Sequence, residues 1–147
     1  MILSAKSLRL IKPVQPFVER GVVRGRSFGL SVAGYDIRIA ESHLLCEGQF
    51  TLGSSLEKFD LPNNVVALVK DKSSWARVGL SVFNTVAEPG WKGFLTLELK
   101  NQGHSPLRIE AGDPIAQILF FTTDESTEGY SGKYQNQESG PQSARYE

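Results

Sequence analysis

Alternation of apolar and polar residues dominates the pattern of this chain. In "FLTLELK", Leu95, Leu97 and Leu99 fall on one face, and Phe94, Thr96, Glu98 and Lys100 on the other. That two-residue period is the signature of a strand with one buried side. "NQGHSP" then supplies a turn, "LRIE" a short strand, "AGD" another turn and "PIAQILFF" a buried strand. Upstream, "LPNNVVALVKD" passes from a turn into a strand rich in Val and Leu, and "SVAGYDIRIA" is a further alternating candidate. Many short strands punctuated by Gly, Pro and Asn predict an all-β sandwich or barrel. Helix is confined to two short pieces. One is "SAKSLRLI", capped by Ser4; the other is a turn or two in "SSWARVGL", starting on serine and ending at Gly79.

The pattern stops near Thr122. Beyond it, "TEGYSGKYQNQESGPQSARYE" contains no Val, Ile, Leu or Met. A segment of that composition buries too little apolar area to offset its own ordering entropy. Its Tyr and Lys residues leave two readings open, a disordered end or a flap that closes over an anionic, planar ligand.

Composition narrows the field. At 147 residues the chain makes one domain with a core that needs no staples. Lys plus Arg, 16, equals Asp plus Glu, 16, which argues against nucleic acid or membrane as a partner. Cys46 is the sole cysteine, and His43 and His104 are far apart in sequence, so neither a disulfide nor a thiolate zinc site is available. With no long apolar run, a soluble cytoplasmic protein is the expectation.

Three segments carry candidate chemistry. In "DKSSWARVGL", a cap at Ser73 or Ser74 would set free N–H groups and hydroxyls beside Lys72, with Arg77 four residues on from Ser73. This suits phosphate oxygens, and it equally suits a capped surface helix with solvated cations. Glu98 sits mid-strand opposite the leucines. It is either an outward, solvated carboxylate or, under a covering surface, a proton carrier. In "NTVAEPGWKG", Glu88 precedes a Pro-Gly turn, and Trp91 reads as core or interface.

Taken together, these motifs resemble the dCTP deaminase and dUTPase superfamily. "AGYDIRI" resembles its first conserved segment, and "DKSSWARVGL" the Arg/Lys-Ser-Ser-x-x-Arg segment that holds phosphates. "EPGWKGFLTLEL" is similar to its Asp-Pro-Gly-Trp/Phe-x-Gly strand, and "GDPIAQILF" to its Gly-x-x-Ile-x-Gln-x-x-Phe strand. Within the superfamily, Glu98 resembles the catalytic glutamate of the deaminases. The ending "YSGKYQNQESGPQSAR" resembles the deaminase ending Tyr-x-x-Lys/Arg-Tyr-x-x-Gln-x-x-Gly-Pro-x-x-Ser-Arg.

The resemblance implies a distorted, jelly-roll-like β-barrel over residues 1–121, with a flexible C-terminal lid over 122–147. It implies a homotrimer with active sites between subunits, acting on a deoxynucleoside triphosphate. Glu98, Ser73 and Arg77 would be catalytic, without zinc, because the His-x-Glu and Pro-Cys-x-x-Cys set is missing. Lys72, Ser74, Asn84, Glu88, Tyr130, Lys133 and Gln137 would bind the nucleotide. Mg2+ would enter through the triphosphate, and no metal site is expected on the protein itself. The product would be dUTP. The alternatives are a dUTPase, a bifunctional enzyme releasing dUMP and pyrophosphate, or a non-catalytic nucleotide-binding module. Two departures fall at the base pocket: Glu88 replaces the family aspartate, and Asn84-Thr85-Val86 stands in a shortened segment.

Overall fold

The computed structural model describes residues 1–146, so the last residue of the expected lid, Glu147, lies outside the described residues. Helix α1 (Ala5–Ile11) opens the fold, followed by strands β1 (Val14–Gln15), β2 (Gly21–Val23), β3 (Arg26–Ser31) and β4 (Gly34–Arg38). Next come β5 (His43–Leu45), β6 (Phe50–Asp60) and β7 (Val65–Asp71), then helix α2 (Ser73–Ala76). Strands β8 (Leu80–Val82), β9 (Val86–Ala87), β10 (Lys92–Asn101), β11 (Leu107–Ile109) and β12 (Pro114–Thr122) complete the barrel. A six-stranded sheet runs β2-β3-β4-β12-β7-β9, a four-stranded sheet β1-β6-β10-β8, and β5 pairs with β11. Every ladder is antiparallel. The expected all-β, jelly-roll-like architecture is what forms.

The core lies between the two large sheets. Ile37 from β4 and Ile118 and Phe120 from β12 are fully buried, as are Phe59 from β6 and Leu97 and Leu99 from β10. Each inward side chain of this size contributes about 1.5–3 kcal/mol through removal from water. The alternation expected in β10 holds for Leu97 and Leu99 but not for Leu95. A register shift between Phe94 and Thr96 bulges the strand against β6, and Leu95 is only partly buried. A bulge of this kind re-aims side chains locally. Here it turns Leu95 toward the same cleft as Thr96 and Glu98.

Both short helices form, but neither is capped by a serine side chain. Ser4 holds the N-cap position of α1 without a side-chain bond. In α2 the cap is Lys72, so Ser73 and Ser74 lie inside the helix. The helix starts early because Trp75 must reach the core, where its Nε1 donates to Pro114 O at 2.7 Å.

One buried ion pair joins β4 and β6. Glu57 is fully buried and accepts from both the backbone N and the Nε of Arg38, each at 2.8 Å. Burial pushes its carboxyl above the ordinary range, with Arg38 pulling the other way. The Tyr35 hydroxyl donates to Pro16 O and accepts from Val18 N, and burial pushes it up to about 12.

Candidate functional site

The edge of β10 explains how a site arises on this barrel. Strand β8 covers only Leu99 to Asn101 on that edge. The rest would present unpaired backbone groups, which folded proteins satisfy almost without exception. The chain meets the need in two ways. Asn84, in the loop between β8 and β9, lays its carboxamide along the strand: Nδ2 donates to Thr96 O at 2.6 Å and Oδ1 accepts from Glu98 N at 2.9 Å. Phe83 N then donates to Glu98 O at 2.8 Å.

The second cover is the C-terminal segment. Asn136 N donates to Lys92 O, and Phe94 N donates to Gln137 O, both at 2.9 Å, so the segment runs as a short parallel bridge beside Gly93. Trp91 Nε1 donates to Tyr134 O at 2.7 Å, and Gln135 Nε2 donates to Gly90 O at 2.9 Å. Two glycines permit this approach. A Cβ on Gly93, whose φ is +145, would sit 2.6 Å from Gln137 N; one on Gly90, at φ +78, would sit 2.8 Å from Gly129 Cα. The sequence flags both through its Pro-Gly-Trp-Lys-Gly pattern, yet the partner they admit is set only in three dimensions.

Between these covers opens a cleft of about 490 Å³. Glu98, expected to be catalytic, and Asn84, Glu88, Tyr130 and Gln137, expected to bind the nucleotide, all line it. Sequence reasoning missed Thr96, Leu95, Trp91, Tyr134 and Gln142 as lining groups. Only the strand alternation that puts Thr96 beside Glu98 could have signalled one of them. Glu98 is partly buried, and its carboxylate has neither an ion pair nor a hydrogen bond among the described residues. Gln137 is buried at 7% exposure, and its Nε2 donates to Phe94 O and Thr96 Oγ1, which leaves Oε1 for a ligand.

The cationic segment is elsewhere. Lys72, Ser73, Ser74 and Arg77 do not line this cleft, and neither does Lys133. Lys72 is buried and paired to Asp36 at 2.7 Å, so part of its charge is already answered inside the chain. Ser73 and Arg77 are exposed. Among the described residues, two buried side-chain polar atoms lack a partner, Ser74 Oγ and Arg26 Nε. Ser74 precedes Trp75 in α2, and the Arg26 guanidinium stacks over the Trp75 ring at 3.8 Å. Lys133 is exposed, 5.7 Å from the Tyr134 ring centre.

The jelly-roll-like barrel, with a mostly apolar cleft that holds an unpaired carboxylate, has the architecture of a dUTPase-like β-barrel. Solved structures agree on that fold. The dUTPase of EIAV superposes with a TM-score of 0.60 at 19% identity, over 83% of this chain and 97% of the other. A dUTPase from phage phi11 of S. aureus gives 0.60 at 19%, over 82% and 96%. Sequence is more discriminating. Residues 15–123 match the family described as dCTP deaminase-like. The dCTP deaminase of Herpetosiphon aurantiacus is 36% identical, covering 84% of this chain and 86% of that protein. That of a Polaromonas species is 33% identical, covering 91% and 90%. The chain belongs to the dCTP deaminase-like family.

Proposed function

We propose that the protein deaminates dCTP to dUTP, with Glu98 carrying the protons. The observation that bears most weight is the unpaired Glu98 carboxylate in a cleft large enough for a pyrimidine deoxynucleoside. Glu98 takes a proton from water as the hydroxide adds to C4 of cytosine, and passes it to N3. Glu98 then takes the proton of the new C4 hydroxyl and gives it to the amine, so that ammonia leaves as the C4 carbonyl forms. The Oε1 of Gln137 faces the base edge, and Tyr130 and Glu88 close the pocket around the sugar and phosphates.

The triphosphate falls to Lys72, Ser73, Ser74 and Arg77, with Lys133 from the tail. The orphaned Ser74 Oγ supports this, since a phosphate oxygen would satisfy it. These groups lie outside the Glu98 cleft of their own chain, which favours a trimer in which one subunit's α2 serves its neighbour's Glu98 with Ser73 and Arg77. Exposed Phe50, Phe83 and Val86 near the cleft fit such an interface. Mg2+ would be held by the triphosphate, whose charge it offsets. No described helix is long and apolar enough to cross a membrane.

Incubation with dCTP and Mg2+ should release ammonia, and Glu98→Gln should reduce that release by about 10²–10⁴-fold. Trimeric wild-type protein that gives no ammonia rules the reading out. A second activity is favoured by one observation, the exposed Glu88 carboxylate on the same cleft. Pyrophosphate released from dUTP in the same assay identifies the bifunctional or dUTPase alternative. Nucleotide binding without turnover of either substrate identifies a non-catalytic module.

A further inference from the structure

Thr96 stands two residues before Glu98 on β10, and both line the cleft. A threonine hydroxyl offers one proton and two acceptor lone pairs. Here the tail occupies both lone pairs. Gln137 Nε2 lies 2.8 Å from Phe94 O, an obligatory acceptor, so this atom is the amide nitrogen and must donate. The same nitrogen lies 3.0 Å from Thr96 Oγ1. The backbone N–H of Gln142, which can only donate, points at Thr96 Oγ1 from 3.1 Å. The hydroxyl proton is left over, and no acceptor receives it among the described residues. A polar group so placed awaits a ligand atom.

We infer that Thr96 is a specificity-determining residue, whose hydroxyl donates to a ring carbonyl oxygen of the bound pyrimidine, and that the docked tail commits it to donating. This rests on the functional reading above. With the tail away, the hydroxyl rotates freely and can accept as well as donate. With the tail docked, it can only donate. The chain end therefore arms a hydrogen-bond donor beside Glu98 as well as covering the cleft. Sequence alone hides this, because the two donors that fix the hydroxyl come from 41 and 46 residues further on.

The test is calorimetric binding of dUpNHpp, the imido analogue of dUTP, to full-length protein. Thr96→Val should weaken binding about tenfold, the worth of one hydrogen bond to a ligand. Thr96→Ser, which keeps the hydroxyl, should stay within about threefold of wild type. In a Gln137→Glu background the carboxylate captures the Thr96 proton, so Thr96→Val should then add less than about twofold. Trp91 fluorescence, sensitive to the Tyr134 contact, reports in each variant whether the tail remains docked. Three results overturn the inference: Thr96→Val binding as wild type does, Thr96→Ser as weak as Thr96→Val with the tail docked, or an undiminished Thr96→Val loss beside Gln137→Glu. Unchanged affinity with a displaced pH profile of turnover would assign the proton to Glu98 and also overturn it. If the wild type itself fails to bind dUpNHpp, the functional reading falls and takes this inference with it.

Discussion

The buried apolar side chains of this protein run from Leu3 to Phe120, whereas beyond residue 122 the sole buried side chain among the described residues is that of Gln137. The barrel is held by area removed from water, the tail mainly by hydrogen bonds, most of them to one strand edge, with Tyr130 as its one apolar contact with the core among the described residues. That difference has a consequence for cooperativity. A core contact is lost only when the barrel opens. A net hydrogen bond contributes about 1 kcal/mol, so a tail held by a handful of them can detach while the barrel stays folded. Most of the tail's anchor points fall on the Pro89-to-Thr96 stretch, which also leads into Glu98, and the others on Ser54, Asn63 and Asn64. Detachment therefore alters the candidate site and leaves the fold in place.

A core substitution in the barrel should have the largest effect. Phe59 is fully buried, with its ring 5.7 Å from that of Trp91. Phe59→Ala should cost about 3–5 kcal/mol through lost transfer energy and the cavity left behind. Scanning calorimetry should record a fall in Tm of roughly 10 °C. A fall no larger than that of the tail variants would show that the two regions are not held differently.

Gly93→Ala strikes the tail instead. Its added Cβ has nowhere to go, since Gln137 N would lie 2.6 Å away and Gln137 O 2.9 Å away, and φ is +145. The tail must lift. Deamination should fall about 100-fold, the scale expected when binding groups are displaced by an ångström or more. Tm should fall by clearly less than in Phe59→Ala, and limited proteolysis should now cut within residues 123–146. Full activity in Gly93→Ala protein would mean that the tail's docking has no part in turnover.

The two regions also differ in how far the sequence reveals them. Strands β7, β10, β11 and β12 are legible because their apolar periodicity and Gly/Pro boundaries are local properties. The family motifs then bring Glu98, Asn84, Glu88, Tyr130 and Gln137 to one cleft, where all five are found. Leu95 is misread because a bulge is invisible to a strict two-residue period. The serines of α2 are misread because the burial of Trp75 fixes the helix start, and capping propensity is too weak to oppose it. Glu57 gives no signal at all: one buried carboxylate looks like any surface Glu until Arg38 is seen beside it. The tail's attachment is the least legible feature. Composition correctly says that it cannot build a core, and says nothing of its ability to complete one strand's hydrogen bonding. That ability depends on Gly90 and Gly93 leaving room and on Asn136, Gln137 and Gln142 arriving in register.

The smallest predicted effect is also the one that separates the regions most cleanly, because a single residue belongs to both. The indole body of Trp91 packs on Phe59 as part of the barrel, and its Nε1 donates to Tyr134 O as part of the tail's attachment. Trp91→Phe keeps a buried aromatic and removes the donor. The barrel should lose little, since a hydrophobic exchange of related shape usually costs under about 1.5 kcal/mol. The tail should lose one half-buried hydrogen bond, about 1 kcal/mol, which shifts its docking equilibrium several-fold. KM for dCTP should therefore rise by about three- to tenfold. Saturating substrate holds the tail down and should leave kcat near wild type. Trp91→Ala should add the loss of the barrel contact, and with it a fall in Tm approaching that of Phe59→Ala. If Trp91→Phe lowers Tm as much as Trp91→Ala does, the Nε1 bond is part of the barrel's own cooperative unit. The division between a core-held body and an edge-held tail would then have to be redrawn with Tyr134 on the barrel's side.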